Sequence, residues 1–268
     1  MLTIDTIDAD GNENLAPFSF FNVISANPPI AVFSPARSGR ANTTKDTFNN
    51  VKEVAEVVIN VVNYDMVHQM SLASSPFAPD VDEFEKSGFT KVKSDLIKPS
   101  RVKESPVQME CKVNEVIELG QEGGAGNLVV CEIIKIHIDE SVLNTEGAID
   151  QKKIDLVVVG PEKPLVDGRA DENSMFEIEK PITTIGIGYD NIPEDIKQST
   201  ILTGNNLGQL GNIEELPNET EVNEHKLIEL SDLFMEYEGD ANSLEIELHK
   251  MAQNQLKENK TKEAWMTL

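Results

Sequence analysis

A short cationic, hydroxyl-rich stretch stands out in a chain of 268 residues whose formal net charge is −24. Residues 34–47 read SPARSGRANTTKDT and place Arg37, Arg40 and Lys45 among five serine and threonine hydroxyls. Guanidinium, ammonium and hydroxyl groups bind phosphate monoesters through charge-assisted hydrogen bonds. The stretch therefore predicts a phosphate pocket.

The elements on either side of this stretch suit such a pocket. An apolar strand is predicted over residues 30–33, and TTKDTF is typical of a helix start, with the helix expected over about 44–54. A helix N-terminus presents free N–H groups and the positive end of its dipole to an anion. In the alternative interpretation, Thr43 or Thr44 only caps the helix and the arginines are solvated.

Composition excludes several classes of partner and site. A net charge of −24 without a broad basic face argues against nucleic acid and anionic membrane as partners. Cys111 and Cys131 lie in strand-like runs and are expected to be buried and reduced. The four histidines and the cysteines show no metal-ligand spacing, so no metal site is predicted. No apolar run is long enough to span a membrane, and we expect a cytoplasmic location.

The hydrophobic pattern predicts mostly strands. The predicted strands are 2–8 and 13–24, joined by a turn at 10–12, then 30–33, 57–62, 107–119, 128–138 and 154–159. At least six strands with few helices between them favour an antiparallel barrel or sandwich over a doubly wound α/β fold. Because the first strand starts without a lead-in, we expect that either the domain begins abruptly or the given sequence lacks an upstream segment.

The character of the chain changes after residue 216. An acidic, polar stretch over 218–224 leads into two amphipathic helices, predicted at roughly 223–237 and 241–258. We therefore expect one domain over 1–216 and an acidic helical extension over 217–268. The apolar stripes of these helices indicate core or dimer packing.

Several segments in order resemble the flavin reductase-like proteins with an FMN-binding split barrel. They are NLAPFSFFNVISANPPIAVFSPAR, TTKDT, VVINVV, ESPVQMECKVNEVIELG and GNLVVCEIIKIHI. The resemblance covers about residues 1–216 and ends in ILTGNNLGQLGNIEELP. It implies a mainly β fold, a six-stranded antiparallel Greek-key split barrel with flanking helices and a helical C-terminal tail. It also implies an obligate homodimer with FMN near the interface.

The resemblance also assigns residues to FMN. Residues 17–22 would run along the isoalloxazine, mainly through backbone groups, and Ser74 and Ser75 would approach from the loop after the next helix. The residues assigned to FMN are Pro17, Phe18, Ser19, Phe20 and Asn22 beside the ring, Ser34, Arg37, Thr44 and Lys45 at the phosphate, and Asp46 and Thr47 at the helix start.

The same segment allows other roles for its side chains. Alternation places Phe18 and Phe20 on one face of the strand and Phe21 on the other, where aromatic side chains more often belong to a core. Asn22 suits a hydrogen bond to the flavin, a turn or a dimer contact equally well.

Two departures from the family pattern bear on function. The family has an upstream strand that contains arginine and proline, and the given sequence starts after it; if that strand is missing, we expect the barrel either to lack a strand or to have an open edge. The glycine- and aromatic-rich strand of the family corresponds to residues 157–169, VVVGPEKPLVDGR, which contain no tyrosine or tryptophan. The family pattern is broken in this stretch, but Arg169 at its end is expected to be within reach of the site.

The resemblance implies an FMN-dependent oxidoreductase that passes hydride from NAD(P)H through flavin N5 to an unidentified acceptor. Backbone donors of residues 17–22 would stabilise the charge of the reduced flavin, and no general acid or base is assigned. The changed 157–169 stretch favours an alternative, a non-catalytic FMN-binding homodimer that stores or senses the cofactor. A third interpretation is an assembly module whose acidic tail recruits a partner.

Overall fold

The computed structural model describes residues 1–78, 81–159, 164–166 and 185–268. The strands in these residues are β1 (Leu2–Ile7), β2 (Glu13–Phe18), β3 (Phe21–Ala26), β4 (Pro29–Phe33), β5 (Glu56–Val61), β6 (Lys91–Val92), β7 (Arg101–Val102), β8 (Val107–Glu118), β9 (Asn127–Ile138), β10 (Val157–Val159) and β11 (Pro164–Val166). The helices are α1 (Asp46–Glu53), α2 (Val67–Ala73), α3 (Glu83–Ser87), α4 (Gln151–Ile154), α5 (Glu194–Lys197), α6 (Gly204–Gly211), α7 (Glu219–Glu229), α8 (Ser231–Glu236), α9 (Ala241–Lys257) and α10 (Thr261–Thr267).

Seven strands form one antiparallel sheet in the order β2-β1-β5-β8-β9-β4-β3. The edge strands β2 and β3 are separated along the chain only by Ser19 and Phe20, so the two edges must come together there. The rings of Phe18 on β2 and Phe33 on β4 accordingly lie 5.7 Å apart. The sheet therefore curls into a split barrel, which confirms the predicted mainly β antiparallel class, with seven strands where six were expected.

The extra strand comes from a break within the predicted strand 13–24. That prediction was wrong in treating the run as one strand, because it divides at Ser19 and Phe20 into β2 and β3. Both halves contain strand-forming residues, so the local pattern gives no sign that the chain passes from one sheet edge to the other. The expected hairpin at 10–12 does join β1 to β2, with Asn12 N–H donating to Asp8 Oδ1 at 2.8 Å.

The barrel interior is the main apolar core. Its buried members are Leu2, Ile4, Phe18, Ala31, Phe33, Val51, Val57, Ile59, Met109, Cys111, Val129, Cys131 and Ile133. Cys111 and Cys131 are free thiols and fully buried, as predicted. A helix over one end of the barrel contributes Val51 to this core, which places α1 beside β1 and β2.

A second layer covers the outer face of the sheet and connects to the C-terminal helices. Its buried apolar residues include Met66 just before α2, Met70 on α2 and Phe84 on α3. Helix α6 packs closely on α2, since a Cβ at Gly208 would lie 2.7 Å from the backbone nitrogen of Gln69. None of the helices in the described part of the chain is long and apolar enough to cross a membrane.

The C-terminal helices pack on residues that precede the predicted boundary at 216. Leu207 and Leu210 of α6 share one buried cluster with Ala252 and Leu256 of α9 and Ala264 of α10. The division into 1–216 and 217–268 stays a prediction. The first predicted tail helix is divided into α7 and α8, and the second corresponds to α9. Helix α10 follows them.

Candidate functional site

The cationic stretch forms a loop, residues 34–45, between β4 and α1, which we call the basic loop. At its start, Ser34 N–H donates to the carbonyl oxygen of Phe20 at 3.0 Å. This bond ties the loop to residues 17–22, which we call the connecting segment because they lead from β2 to β3. The two predicted parts of the FMN site are therefore neighbours in the structure.

Within the basic loop, Arg37 is held by Asn42. Arg37 Nε donates to Asn42 Oδ1 at 2.7 Å, and Arg37 Nη2 donates to the main-chain oxygen of Asn42 at 2.6 Å. Asn42 has a φ of 52°, in the left-handed region that asparagine tolerates better than most residues. The guanidinium therefore has a fixed direction although the loop is exposed to solvent.

The loop between β8 and β9 supports the basic loop from the side. Arg37 N–H donates to Ala125 O at 2.9 Å, and Gly124 N–H donates to Arg37 O at 3.1 Å. The fully buried Asn127 donates through Nδ2 to Pro35 O at 2.8 Å. The sequence correctly indicated that QEGGAGN joins two strands, but it gave no signal that this turn packs on residues some 90 positions earlier.

Helix α1 begins two residues later than predicted, at Asp46, with Lys45 in the N-cap position. The N-cap position thus belongs to Lys45 and not to Thr43 or Thr44, and the Lys45 side chain makes no capping hydrogen bond. Thr44 Oγ1 instead donates to Asn49 Oδ1 at 3.0 Å. In the described part of the chain, no side chain accepts from the N–H groups of Asp46 and Thr47, while Phe48 N–H donates to the main-chain oxygen of the exposed Lys45 at 3.0 Å.

Thr47 and the connecting segment complete the predicted set. Thr47 is 1% exposed, and its Oγ1 accepts from Asn14 Nδ2 at 2.9 Å, which fastens α1 to β2. Ser19 and Asn22 are exposed, whereas Pro17, opposite Thr3 on β1, is half-buried. The binding roles of all these residues stay predictions.

The prediction that Phe18 and Phe20 share one face was wrong. Phe18 is 8% exposed and belongs to the core, while Phe20 is 69% exposed. The reason is the change of sheet edge between them, which ends the alternation of β2. Phe21 packs against the core instead.

Two serines predicted to approach the site have different environments. Ser74 Oγ donates to Ser71 O at 2.5 Å, so its hydroxyl closes the end of α2. Ser75 Oγ is buried and has no hydrogen-bond partner among the described residues. Of the 157–169 stretch, residues 160–163 and 167–169 lie outside the described residues, and Arg169 is among them.

A group of carboxylates that the sequence analysis missed lies between the sheet and its outer layer. Asp5 is fully buried and burial raises its pKa well above the usual range. The nearby Ser100 N–H donates to Glu13 Oε1 at 2.9 Å, and Lys91 pairs with Glu13 at 2.7 Å. Burial also raises the pKa of Glu83 to about 7. No motif marks this group, because its three carboxylates come from three separate elements, β1, β2 and α3.

Asp95, Glu110 and His137 form another cluster, with donor atoms within 4.8 Å of one another. His137 Nε2 lies 2.7 Å from Glu110 Oε1, and Glu110 also accepts from the N–H groups of Asp95 and Leu96 at 2.9 and 2.7 Å. Burial alone would raise the pKa of Glu110, but these hydrogen bonds hold it below the usual range. Lys135 pairs with Asp95. The cluster is a satisfied charge network that fastens residues 95–96 to β8 and β9.

A small cavity lies away from the basic loop. It is a space of about 20 Å³ between α2, α6 and the start of α10, lined by residues that include His68, Ser71 and Asn212. Burial lowers the pKa of His68 to about 4, so its ring is neutral near pH 7. The volume suits a single water molecule rather than a cofactor.

Comparison with known proteins places this architecture in a family. The model of the flavin reductase like domain matches residues 2–164. A protein of Aquifex aeolicus is 33% identical over 150 residues, which are 56% of this chain and 74% of that protein. A protein of Halalkalibacterium halodurans is 33% identical over 153 residues, which are 56% of this chain and 72% of that protein.

Solved structures agree with the fold. Nitrilotriacetate monooxygenase component B from Bacillus cereus superimposes with a TM-score of 0.58 at 25% identity, covering 64% of this chain and 85% of that one. A split barrel domain structure from Shewanella frigidimarina gives a TM-score of 0.55 at 27% identity, covering 66% and 85%. Since the family model spans more than half of the residues, this chain belongs to the flavin reductase-like domain family.

Proposed function

We propose that this protein binds FMN at the basic loop and the connecting segment and acts as an FMN-dependent oxidoreductase supplied by NAD(P)H. Family membership indicates a flavin-related oxidoreductase. The choice of FMN depends on one observation, a guanidinium fixed by Asn42 in a loop that leads into an uncapped helix N-terminus.

The donors around the basic loop suit a phosphate monoester. Such a group is nearly dianionic at neutral pH, and Arg37 and Lys45 supply two positive charges. Arg37 uses Nε and Nη2 on Asn42, and in the described part of the chain Nη1 has no partner. The first turn of α1 adds N–H groups, and Ser34 and Thr44 add hydroxyls.

The connecting segment suits the flavin ring. Ser19 and Phe20 are exposed and lie outside the strand ladders, and although the carbonyl oxygen of Phe20 accepts from Ser34 N–H, their N–H groups are the donors that we assign to a ligand. Bound FMN would supply hydride acceptance at N5 and electron delivery to a second acceptor. The chain would bind and orient the ring and direct N–H groups at its developing negative charge.

We also propose that two copies associate and that the interface completes the site. Strand β3 is a sheet edge on which Val23 and Ile24 are 48% and 59% exposed. Phe20, at 69%, and Leu119, at 65%, extend this apolar area beside the basic loop. A partner subunit that covers the area would bury the edge and shield the flavin from water.

Reduction of the purified, FMN-loaded protein tests the proposal. We expect FMN to bind more tightly than riboflavin, and NADH or NADPH to bleach the flavin absorbance anaerobically, with recovery when an electron acceptor is added. Binding without bleaching by either donor would favour the non-catalytic FMN store or sensor. Equal affinity for FMN and riboflavin would contradict the phosphate site.

A further inference from the structure

Helices α7 and α8 expose large apolar side chains although they are firmly attached to the protein. Neither helix contains a buried residue. Leu227 and Ile228 on α7 are each 74% exposed, Met235 on α8 is 68% exposed and Phe234 is 38% exposed. We call these four side chains the α7–α8 surface. Several large exposed apolar side chains on two consecutive helices are typical of interaction sites on proteins.

This exposure does not come from a frayed helix end. Asn218 forms a capping box with Glu221 at the start of α7, and Glu221 pairs with Lys262 of α10. His225 Nε2 lies 3.0 Å from Thr267 Oγ1, which is also on α10. Leu230, at the junction of α7 and α8, is fully buried. The surface is therefore displayed by an anchored scaffold.

The charge around the surface restricts what can cover it. Residues 214–240 contain ten aspartates and glutamates, one lysine, Lys226, and no arginine. A second copy would bring the same carboxylates into opposition, and like charges across an interface are repulsive. Nucleic acid and anionic lipid are disfavoured for the same reason. A partner with a cationic surface would be complementary to these carboxylates.

We propose that the α7–α8 surface binds a cationic amphipathic helix of a partner protein. The apolar face of that helix would cover Leu227, Ile228 and Met235, and its lysines and arginines would lie among the surrounding carboxylates. Recognition of this kind uses apolar anchors at helical spacing for affinity and charge for orientation. The proposal does not depend on the flavin site.

A synthetic, dye-labelled amphipathic lysine–leucine helix is a suitable probe, and a peptide of the same composition in permuted order is its control. Fluorescence anisotropy with the full chain should show binding of the amphipathic peptide and weaker binding of the permuted one. Leu227→Gln with Ile228→Gln should weaken binding about tenfold, since glutamine keeps the helix and removes the apolar contact. Leu96→Gln, at a site that is 56% exposed on another part of the protein, should leave binding unchanged.

Three results would overturn the proposal. Equal binding of the two peptides would show that charge alone attracts them. Equal affinity of the double variant and the original protein, with matching circular dichroism, would show that the surface is not used. Loss of a dimer in the double variant by analytical ultracentrifugation would show that a second copy covers the surface.

Discussion

Asn42 holds the guanidinium of Arg37 from two directions, with its side-chain oxygen 2.7 Å from Nε and its main-chain oxygen 2.6 Å from Nη2. The pair directs a cation in an exposed loop where an arginine would ordinarily sample many rotamers. Fixing such a side chain in advance reduces the entropy lost when an anion binds. Asn42 thus becomes a positioning residue for the proposed phosphate contact.

Replacing Asn42 should weaken FMN binding through the phosphate alone. Loss of a charge-assisted hydrogen bond at an exposed site predicts about tenfold lower affinity for FMN in Asn42→Gly, because glycine keeps the left-handed backbone and removes Oδ1. Riboflavin, which has no phosphate, should bind both proteins equally in a fluorescence titration. A parallel loss of riboflavin affinity would show that the loop as a whole had moved.

The two cations assigned to the phosphate should matter more than their neighbour. Arg37→Ala combined with Lys45→Ala should lower FMN affinity by about a hundredfold or more. Arg40→Ala is the matched control, since Arg40 is exposed in the same loop and carries the same charge. If Arg40→Ala weakens FMN binding as much as the double substitution, the effect is one of net charge and the assignment is wrong.

Glu83 should make stability fall as pH rises toward neutrality. Burial raises its pKa from the ordinary value of 4.5 to about 7 in the folded protein, so the folded state binds the proton more tightly than the unfolded state does. The free energy of unfolding should decrease between about pH 4.5 and 7 and level off above, with a loss of at most about 3 kcal/mol, reduced because the group is partly hydrated.

Glu83→Gln should remove this slope in urea unfolding measured across that pH range. Glutamine keeps an oxygen to accept from Leu15 N–H, which lies 3.3 Å from Glu83 Oε2. Glu85→Gln, an exposed site on the same helix, should retain the slope. An unchanged slope in Glu83→Gln would assign the pH dependence to another group, with the fully buried Asp5 the first to examine.

Gly208 should be required for the contact between α6 and α2. An added Cβ would meet the backbone nitrogen of Gln69 at 2.7 Å, and backbone cannot rotate away. Gly208→Ala should therefore lower the free energy of unfolding by about 1–3 kcal/mol despite the better helix propensity of alanine. Thermal unfolding of each variant measures this change. Gly39→Ala should be nearly neutral in that experiment, because no atom lies within 4 Å of a Cβ built at this position.

Much of the local structure was predictable from periodicity and turn residues. The β1–β2 hairpin and the long β8–β9 pair follow from alternation over residues whose neighbours are close in the sequence. Burial of Cys111 and Cys131 follows from the same alternation. The cationic composition of the basic loop is likewise a property of consecutive residues.

The sequence by itself thus determined the class of fold, the family resemblance and the cationic, hydroxyl-rich composition of the basic loop. Only the tertiary structure decided that β2 and β3 lie at opposite edges of one sheet, which separated Phe18 from Phe20. It also decided that Asn127 supports Pro35 and that α7 and α8 stay exposed. These features depend on contacts between residues far apart in the chain, and periodicity records only which side of its own element a residue occupies.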